Sequence, residues 1–222
     1  MTGPRLVVAR QLPEVADALA EGRAIAVPGD GGYQLAVCHN HRDAVAMLRE
    51  RCTDTAEAGL QIAVGRRSQA AELTPHWSRE TSQLTDRMWP GPLTVIVPAR
   101  AEECLPSQPR VGVVHLTMPA WRPLRVLCRQ NGPLVVMALR RADGEPLVTA
   151  EEVHAHFADE DVALVVDGGM RRGPGSTVVD CTLSPPKVLR VGALPESYVE
   201  AALLMGARRR GWFTRRGDAR EA

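Results

Sequence analysis

Apolar positions along this chain alternate between helical spacing and short unbroken runs. Between Pro13 and Glu21, Val15, Ala18 and Leu19 share one face, which predicts a helix. Ala24-Ile25-Ala26-Val27 is too short for a helix and stops at Pro28 and the glycines behind it, so it reads as a buried strand. The same reasoning predicts helices over 43–51, 78–88, 119–130, 149–157 and 195–204, and strands over 60–64, 93–97, 111–116, 134–138, 163–166, 177–181 and 188–191. Ser78 is placed to cap one helix, and Thr149 with Glu152 three residues on forms a capping box for another. Pro119 is expected in the first turn of the 119–130 helix, which ends at Asn131-Gly132. About eight strands and five or six helices make an α/β chain. Several strands follow one another without an intervening helix, so a twisted mixed sheet with helices packed on it is expected, not a purely parallel one.

Composition narrows the class. The chain has 222 residues, 45% of them hydrophobic and 24% charged, which fits a globular protein and not a disordered one. No stretch approaches the roughly 20 apolar residues of a membrane span, and Met1-Thr2-Gly3-Pro4-Arg5 leads into no secretory signal. Cys38, Cys52, Cys104, Cys128 and Cys181 are scattered and form no Cys-x-x-Cys pair, so neither a disulfide framework nor a zinc ribbon is expected. A reducing, cytoplasmic location follows as the expectation. Net charge is only +1, but it is uneven: residues 206–222 carry six arginines against Asp218 and Glu221. Lys187 is the only lysine, a skew that reads as genomic composition. The expected organisation is one domain over 1–205 and a basic tail over 206–222.

Four segments could carry chemistry. Pro28-Gly29-Asp30-Gly31-Gly32-Tyr33-Gln34-Leu35 follows a strand, and its glycines allow a tight turn or a close backbone approach to a ligand. It matches neither a Walker loop nor the dinucleotide fingerprint. Arg49 and Arg51 at a helix end suit the helix dipole, or alternatively grip a polyphosphate. Trp89-Pro90-Gly91-Pro92-Leu93-Thr94 reads as a rigid corner. Asp167-Gly168-Gly169 and Gly173-Pro174-Gly175-Ser176-Thr177 make a glycine loop ending in hydroxyls, which is an ordinary turn or an anion cradle. Cys38-His39-Asn40-His41 offers soft ligands but too few to close a metal site, and no metal is assigned. No Ser-His-Asp constellation is legible, His115 reads as a packed or half-exposed strand residue, and no catalytic residue is assigned.

Taken together, the order and spacing of these segments resemble the YrdC-like, threonylcarbamoyl-AMP synthase family, over about residues 10–203. Trp89 to Thr94 repeats that family's Trp-Pro-Gly-Pro-Leu-Thr letter for letter, and Pro28 to Leu35 stands where members carry Pro-Thr-Asp-Thr-Val-Tyr-Gly-Leu. Arg49-Glu50-Arg51 stands at Lys-x-Arg, and Gly132-Pro133-Leu134 leads toward the position of Ser-Ala-Asn. Asp167-Gly168-Gly169, Ser176 to Asp180 and Leu189-Arg190-Val191-Gly192 match the closing motifs. The resemblance implies a positively lined cleft that binds ATP as substrate with threonine and bicarbonate, usually with Mg²⁺ on the triphosphate. The product, threonylcarbamoyl-adenylate, serves tRNA modification with partner proteins. It further implies nucleotide contacts at Arg49, Arg51, Arg140 and Arg190, and substrate contacts at Asp30, Tyr33, Thr117, Ser176 and Thr177.

The chain also departs from the pattern. Gly29 and Gly31 stand for the two motif threonines, and Gln34 for the glycine. Arg49 stands for the lysine, Thr117 for the arginine that meets the threonine carboxylate, and Ala138-Leu139-Arg140 for Ser-Ala-Asn. Two functional classes therefore follow: a divergent synthase or related nucleotide-dependent transferase, and a non-catalytic module that binds a nucleotide or RNA, including tRNA or double-stranded RNA. The tail, Arg208-Arg209-Arg210-Gly211-Trp212-Phe213, mixes cations with aromatic rings and reads as an RNA contact, a membrane-surface or protein-docking tail, or a frayed terminus.

Overall fold

Strand parity organises this molecule. In the computed structural model, which describes residues 4–52, 59–100, 111–157 and 162–214, the Ala24–Pro28 strand sends Ile25 and Val27 to one face and Ala24 and Ala26 to the other. Every strand through the middle of the sheet does the same, so both faces are apolar and both carry helices.

The described residues form one ten-stranded sheet. In chain order the strands are β1 (Arg5–Val8), β2 (Ala24–Pro28), β3 (Tyr33–Cys38), β4 (Gln61–Ala63), β5 (Leu93–Pro98), β6 (Val113–Thr117), β7 (Leu134–Ala138), β8 (Val162–Asp167), β9 (Thr177–Asp180) and β10 (Lys187–Arg190). Their spatial order is β1-β8-β2-β3-β7-β4-β6-β5-β9-β10. The pairs β1/β8, β8/β2, β4/β6 and β5/β9 are parallel and the rest antiparallel, which is the mixed sheet the strand spacing predicts.

Helices α1 (Leu12–Ala20) and α5 (Arg122–Asn131) cover one face, packing Val15, Ala18, Leu19, Leu124, Leu127 and Cys128 on Ile25, Ala36 and Val136. Helices α2 (Arg42–Arg51), α3 (Arg67–Glu72), α4 (Arg79–Met88), α6 (Ala150–His156) and α7 (Glu196–Thr214) contribute to the other core. The predicted caps are present. Ser78 accepts the Thr81 amide at 3.0 Å, and Thr149 and Glu152 close their reciprocal box.

Several boundaries differ from the pattern-based expectation. β3 is a fully formed strand where the sequence shows a glycine motif running into Cys38, because polar Gln34 interrupts an otherwise apolar run. β1 and α3 are additional; α3 buries only Gln69 and Ala70 and so has no apolar stripe to reveal it. β6 begins at Val113, since Val111 and Gly112 form the preceding turn. α5 begins at Arg122, not Pro119, and it is Pro123 that occupies the first turn. α7 continues past Leu204 to Thr214, so the expected tail begins within a helix, and residues 215–222 lie outside the described residues, as does Cys104. His115 is buried, at 1% exposure. Among the described residues no helix is long and apolar enough to cross a membrane.

Candidate functional site

A cavity of about 260 Å³ opens beside the ends of the central strands. Gln34, Gln61, Thr117 and Ala138 line it from the strands, Gly29 to Tyr33 from the β2–β3 turn, Gly173 to Ser176 from the loop before β9, and Arg140 and Arg190 add two guanidiniums to the lining. Parity explains the wall: Gln34 and Ala138 precede or follow Ala36 and Val136 by two residues, on the α1/α5 face.

The three glycines of the β2–β3 turn are explained by close approach. A Cβ on Gly31 would lie 2.7 Å from the Gly175 Cα, and one on Gly32 would lie 2.9 Å from the Leu147 carbonyl. The backbone of two other loops thus sits where motif side chains would stand. On Gly29 an added Cβ would lie 2.9 Å from the Gly32 carbonyl and 3.1 Å from the Gln34 Oε1.

Asp30 anchors the polar side of the cavity. Its carboxylate accepts the Ser176 hydroxyl at 3.2 Å. Burial raises its pKa above the ordinary carboxylate value, although the Ser176 hydroxyl, the Ala120 amide and the Arg171 guanidinium all favour the anion. Arg190 Nη2 donates to the Ser176 carbonyl at 2.9 Å, and Arg140 Nη1 to the Gly144 carbonyl at 2.8 Å. Two guanidiniums against one carboxylate leave the lining net positive.

Other candidate residues have their polar atoms committed elsewhere. Tyr33 is 1% exposed; its hydroxyl donates to the Gly169 carbonyl and accepts from the Gly168 amide, clamping the Asp167-Gly168-Gly169 segment to the β2–β3 turn. The Thr117 hydroxyl donates to the Leu93 carbonyl at 3.3 Å. Thr177 does not line the cavity. Its hydroxyl donates to the Leu194 carbonyl and accepts the Gly192 and Leu194 amides, so of the expected Ser176–Thr177 pair only Ser176 lines the cavity.

Arg51 stands in a second cavity, of about 270 Å³, with Arg140, Arg141, His156, Phe157 and the strand residues Leu35 and Met137. Leu35 and Met137 belong to the other face of the sheet, and only Ala138, Leu139 and Arg140 line both hollows. The sequence places Arg51 and Arg190 at one ligand; the structure separates them by that shared wall, and exposed Arg49 lines neither hollow.

No group of three or more His, Cys, Asp or Glu that could hold a metal ion occurs among the described residues, the Cys38–His41 segment included. Burial pushes the Cys38 thiol up to about 11 and those of Cys128 and Cys181 up to about 12, which leaves them protonated and poor nucleophiles at neutral pH.

Residues 17–192 match the Sua5/YciO/YrdC family model, described as telomere recombination. The chain belongs to this family. Among curated relatives it is 29% identical over 195 residues to the threonylcarbamoyl-AMP synthase of Bacillus subtilis, covering 87% of this chain and 56% of the relative. It is 30% identical over 192 residues to that of Pyrococcus abyssi, covering 83% of this chain and 55% of the relative. The chain thus spans little more than half the length of these two relatives. A putative threonylcarbamoyl-AMP synthase of Mycobacterium tuberculosis is 26% identical over 195 residues, 87% of this chain and 89% of the relative. Among solved structures, Sua5 of P. abyssi complexed with L-threonine superposes with a TM-score of 0.76 at 25% identity, covering 89% of this chain and 60% of that one. YciO of Escherichia coli gives 0.74 at 18% identity, over 88% and 98% of the two chains, which speaks to the fold.

Within this Sua5/YciO/YrdC frame, Trp89-Pro90-Gly91-Pro92 is a corner: Trp89 Nε1 donates to the Leu93 carbonyl at 2.8 Å and starts β5. Gln34 and Gln61 are the cavity residues that sequence reasoning left out. Gln61 had a signal, a polar residue inside the apolar run Leu60 to Val64. Gln34 was visible only as a departure from the family glycine.

Proposed function

We propose that this family member binds ATP or a related nucleotide in the first cavity, with phosphate at Arg190, Arg140 and the Gly173–Ser176 loop. The observation that carries this reading is the convergence, on one net-positive hollow, of a glycine-rich loop, the Asp30–Ser176 pair and two guanidiniums. Arg51 and Arg141, across the shared wall, offer further charge to a polyphosphate that extends past Arg140. Asp30 is the only carboxylate among the described residues that line the cavity, so Mg²⁺ fits here only with the nucleotide's own phosphate oxygens completing its coordination.

A second reading is catalysis: synthesis of threonylcarbamoyl-AMP from ATP, threonine and bicarbonate, with delivery to tRNA through partner proteins. The relatives named threonylcarbamoyl-AMP synthase favour it. Thr117 disfavours it, because its hydroxyl is turned to Leu93 and supplies no cation for an amino-acid carboxylate. An RNA partner draws support from Arg122, Arg125 and Arg129 along α5, whose first residue lies three positions after cavity-lining Pro119.

Calorimetric titration with ATP and Mg²⁺ tests the binding reading. Exothermic binding that weakens about tenfold in Arg140→Ala is expected, since Arg140 is exposed and its loss leaves the core intact. Absence of binding at millimolar ATP would overturn it. Pyrophosphate release on adding threonine and bicarbonate separates synthase from binder.

A further inference from the structure

Helix α5 carries its charge in one stripe. Arg122, Arg125 and Arg129 stand at i, i+3 and i+7, on the side away from Leu124, Leu127 and Cys128, which pack toward the sheet. The stripe runs about 10.5 Å along the helix axis. The loop from β4 to α3 is pinned against it. Gln69 is buried; its side chain accepts the Gly65 amide at 2.9 Å and donates to the Cys128 carbonyl at 2.6 Å, and Arg129 Nη1 donates to the Gly65 carbonyl at 3.0 Å. The approach is close enough to require glycine: a Cβ on Gly65 would run into the Arg125 carbonyl and lie 2.7 Å from the Arg129 Cγ. The next residue is Arg66, which is exposed, so a fourth arginine is anchored beside the stripe on a stiff support.

Among the described residues, no carboxylate forms an ion pair with Arg66, Arg122, Arg125 or Arg129, whereas Arg67, one residue on, pairs with Asp86. Arg125 is partly spent on the Pro119 and Ala120 carbonyls, each 2.6 Å from its Nη1, but Arg66, Arg122 and Arg129 are exposed. Burial, and then the like charges of Arg129 and Arg122, lower the Arg125 pKa, so the fold here works against its own charge. A rigidly framed set of like charges is complementary to an external polyanion.

The head of the stripe favours one kind of polyanion. Trp121, half-buried, occupies the N-cap position of α5 next to Arg122, and an edge of its indole lies against Gly168, where an added Cβ would be 3.2 Å from Cζ2. An aromatic ring leading a row of guanidiniums suits single-stranded nucleic acid, in which a base stacks and the phosphates follow the cations. A duplex keeps its base faces hidden, and an acidic peptide makes no use of the ring. We infer that α5 is a track for single-stranded RNA, with an unstacked base on Trp121 and phosphates at Arg122, Arg129 and Arg66. This rests on the RNA-partner reading above, to which it gives a surface and a strand form, and it leaves the nucleotide reading of the cavity untouched.

The test is fluorescence anisotropy on the full chain, with a labelled single-stranded RNA of about twelve nucleotides, the matching duplex, and polyglutamate and ATP as competitors, between about 50 and 200 mM salt. The single strand is expected to bind at least about fivefold more tightly than the duplex. Its log K should fall against log salt with a slope of about −2, as three phosphate contacts on a single strand require. Arg122→Gln and Arg66→Gln should each lower affinity about three- to tenfold and make the slope shallower by about 0.7. Tm should be unchanged or higher in Arg122→Gln, which separates lost binding from lost structure. Trp121→Leu should weaken single-strand binding about tenfold, and Trp121→Phe, which keeps a ring, should stay within about threefold of wild type. RNA binding that survives all of these substitutions unchanged would overturn the inference and leave the RNA-partner reading standing on another surface. Tighter binding of the duplex would overturn it, as would displacement by polyglutamate at equal charge or by saturating ATP, since the strand would then be held as bulk charge or in the cavity. Absence of RNA binding would remove both this inference and the RNA-partner reading.

Discussion

Replacing Thr177 by valine separates a structural hydroxyl from a ligand-facing one. Thr177 is fully buried, and its single Oγ1 serves three partners in the link from β10 to α7. It donates to the Leu194 carbonyl at 2.7 Å and accepts from the Gly192 amide at 2.9 Å and the Leu194 amide at 3.0 Å. Valine keeps the shape and deletes all three bonds. Each buried group left unpaired costs about 1–3 kcal/mol. Gly192 and Leu194 are only half-buried, so water recovers part of this, and a total of about 2–4 kcal/mol is expected. For a chain of this length that lowers Tm by roughly 5–12 °C. Urea unfolding followed by circular dichroism should show a lower midpoint at unchanged slope. Thr177→Ser, which keeps the hydroxyl, should lose about 1 kcal/mol or less, and ATP affinity at 15 °C should stay within twofold in both variants. A Thr177→Val protein as stable as wild type, with tenfold weaker ATP binding, would refute the assignment and return Thr177 to the ligand.

Three further outcomes follow from the same geometry. The Asp30 pKa is raised on folding, so its contribution to stability is present below the unfolded carboxylate value near 3.8 and is lost as pH rises through the folded value. Asp30→Asn should therefore be more stable than wild type at pH 7, with the gain fading below about pH 4 in a pH series of urea melts. Gly31→Thr places a Cβ 2.7 Å from the Gly175 backbone; displacement of the Gly173–Ser176 loop should cost about 1–3 kcal/mol in a thermal melt, together with ligand affinity. Burial, then the like charges of Arg129 and Arg122, lower the Arg125 pKa, so Arg122→Gln should stabilise the protein by about 0.2–0.5 kcal/mol at low salt and not at 1 M.

What the sequence discloses is what local spacing controls. Leu84 and Met88 repeat at helical intervals, and Ser78 and Thr149 cap within three residues of themselves, so these helices can be read directly. The glycine segments are equally visible as segments. The direction of a hydroxyl is not visible. Thr177 is claimed by Leu194, seventeen residues away, and Tyr33 by Gly169, 136 residues away. Likewise Arg51 and Arg190 both look like phosphate ligands, but the parity of Leu35 and Met137 puts Arg51 on the other side of the sheet edge.

Loss of side chains from a binding motif has two physical outcomes, and they can be told apart. A site that has merely decayed keeps the old backbone and leaves voids where side chains stood, because neighbouring structure relaxes only partly. Here the space beside Gly29 holds the Gly32 carbonyl and Gln34, that beside Gly31 holds Gly175, and that beside Gly32 holds Pro146 and Leu147. At Gly31 and Gly32 the contacts are backbone or a proline ring, and at Gly29 they are the Gly32 carbonyl and the end of the Gln34 side chain. Asp30 meanwhile stays in a buried setting where burial disfavours its charged form. Close filling beside these glycines, together with a carboxylate kept where it weakens the fold at neutral pH, is what the proposed ligand-site reading would produce.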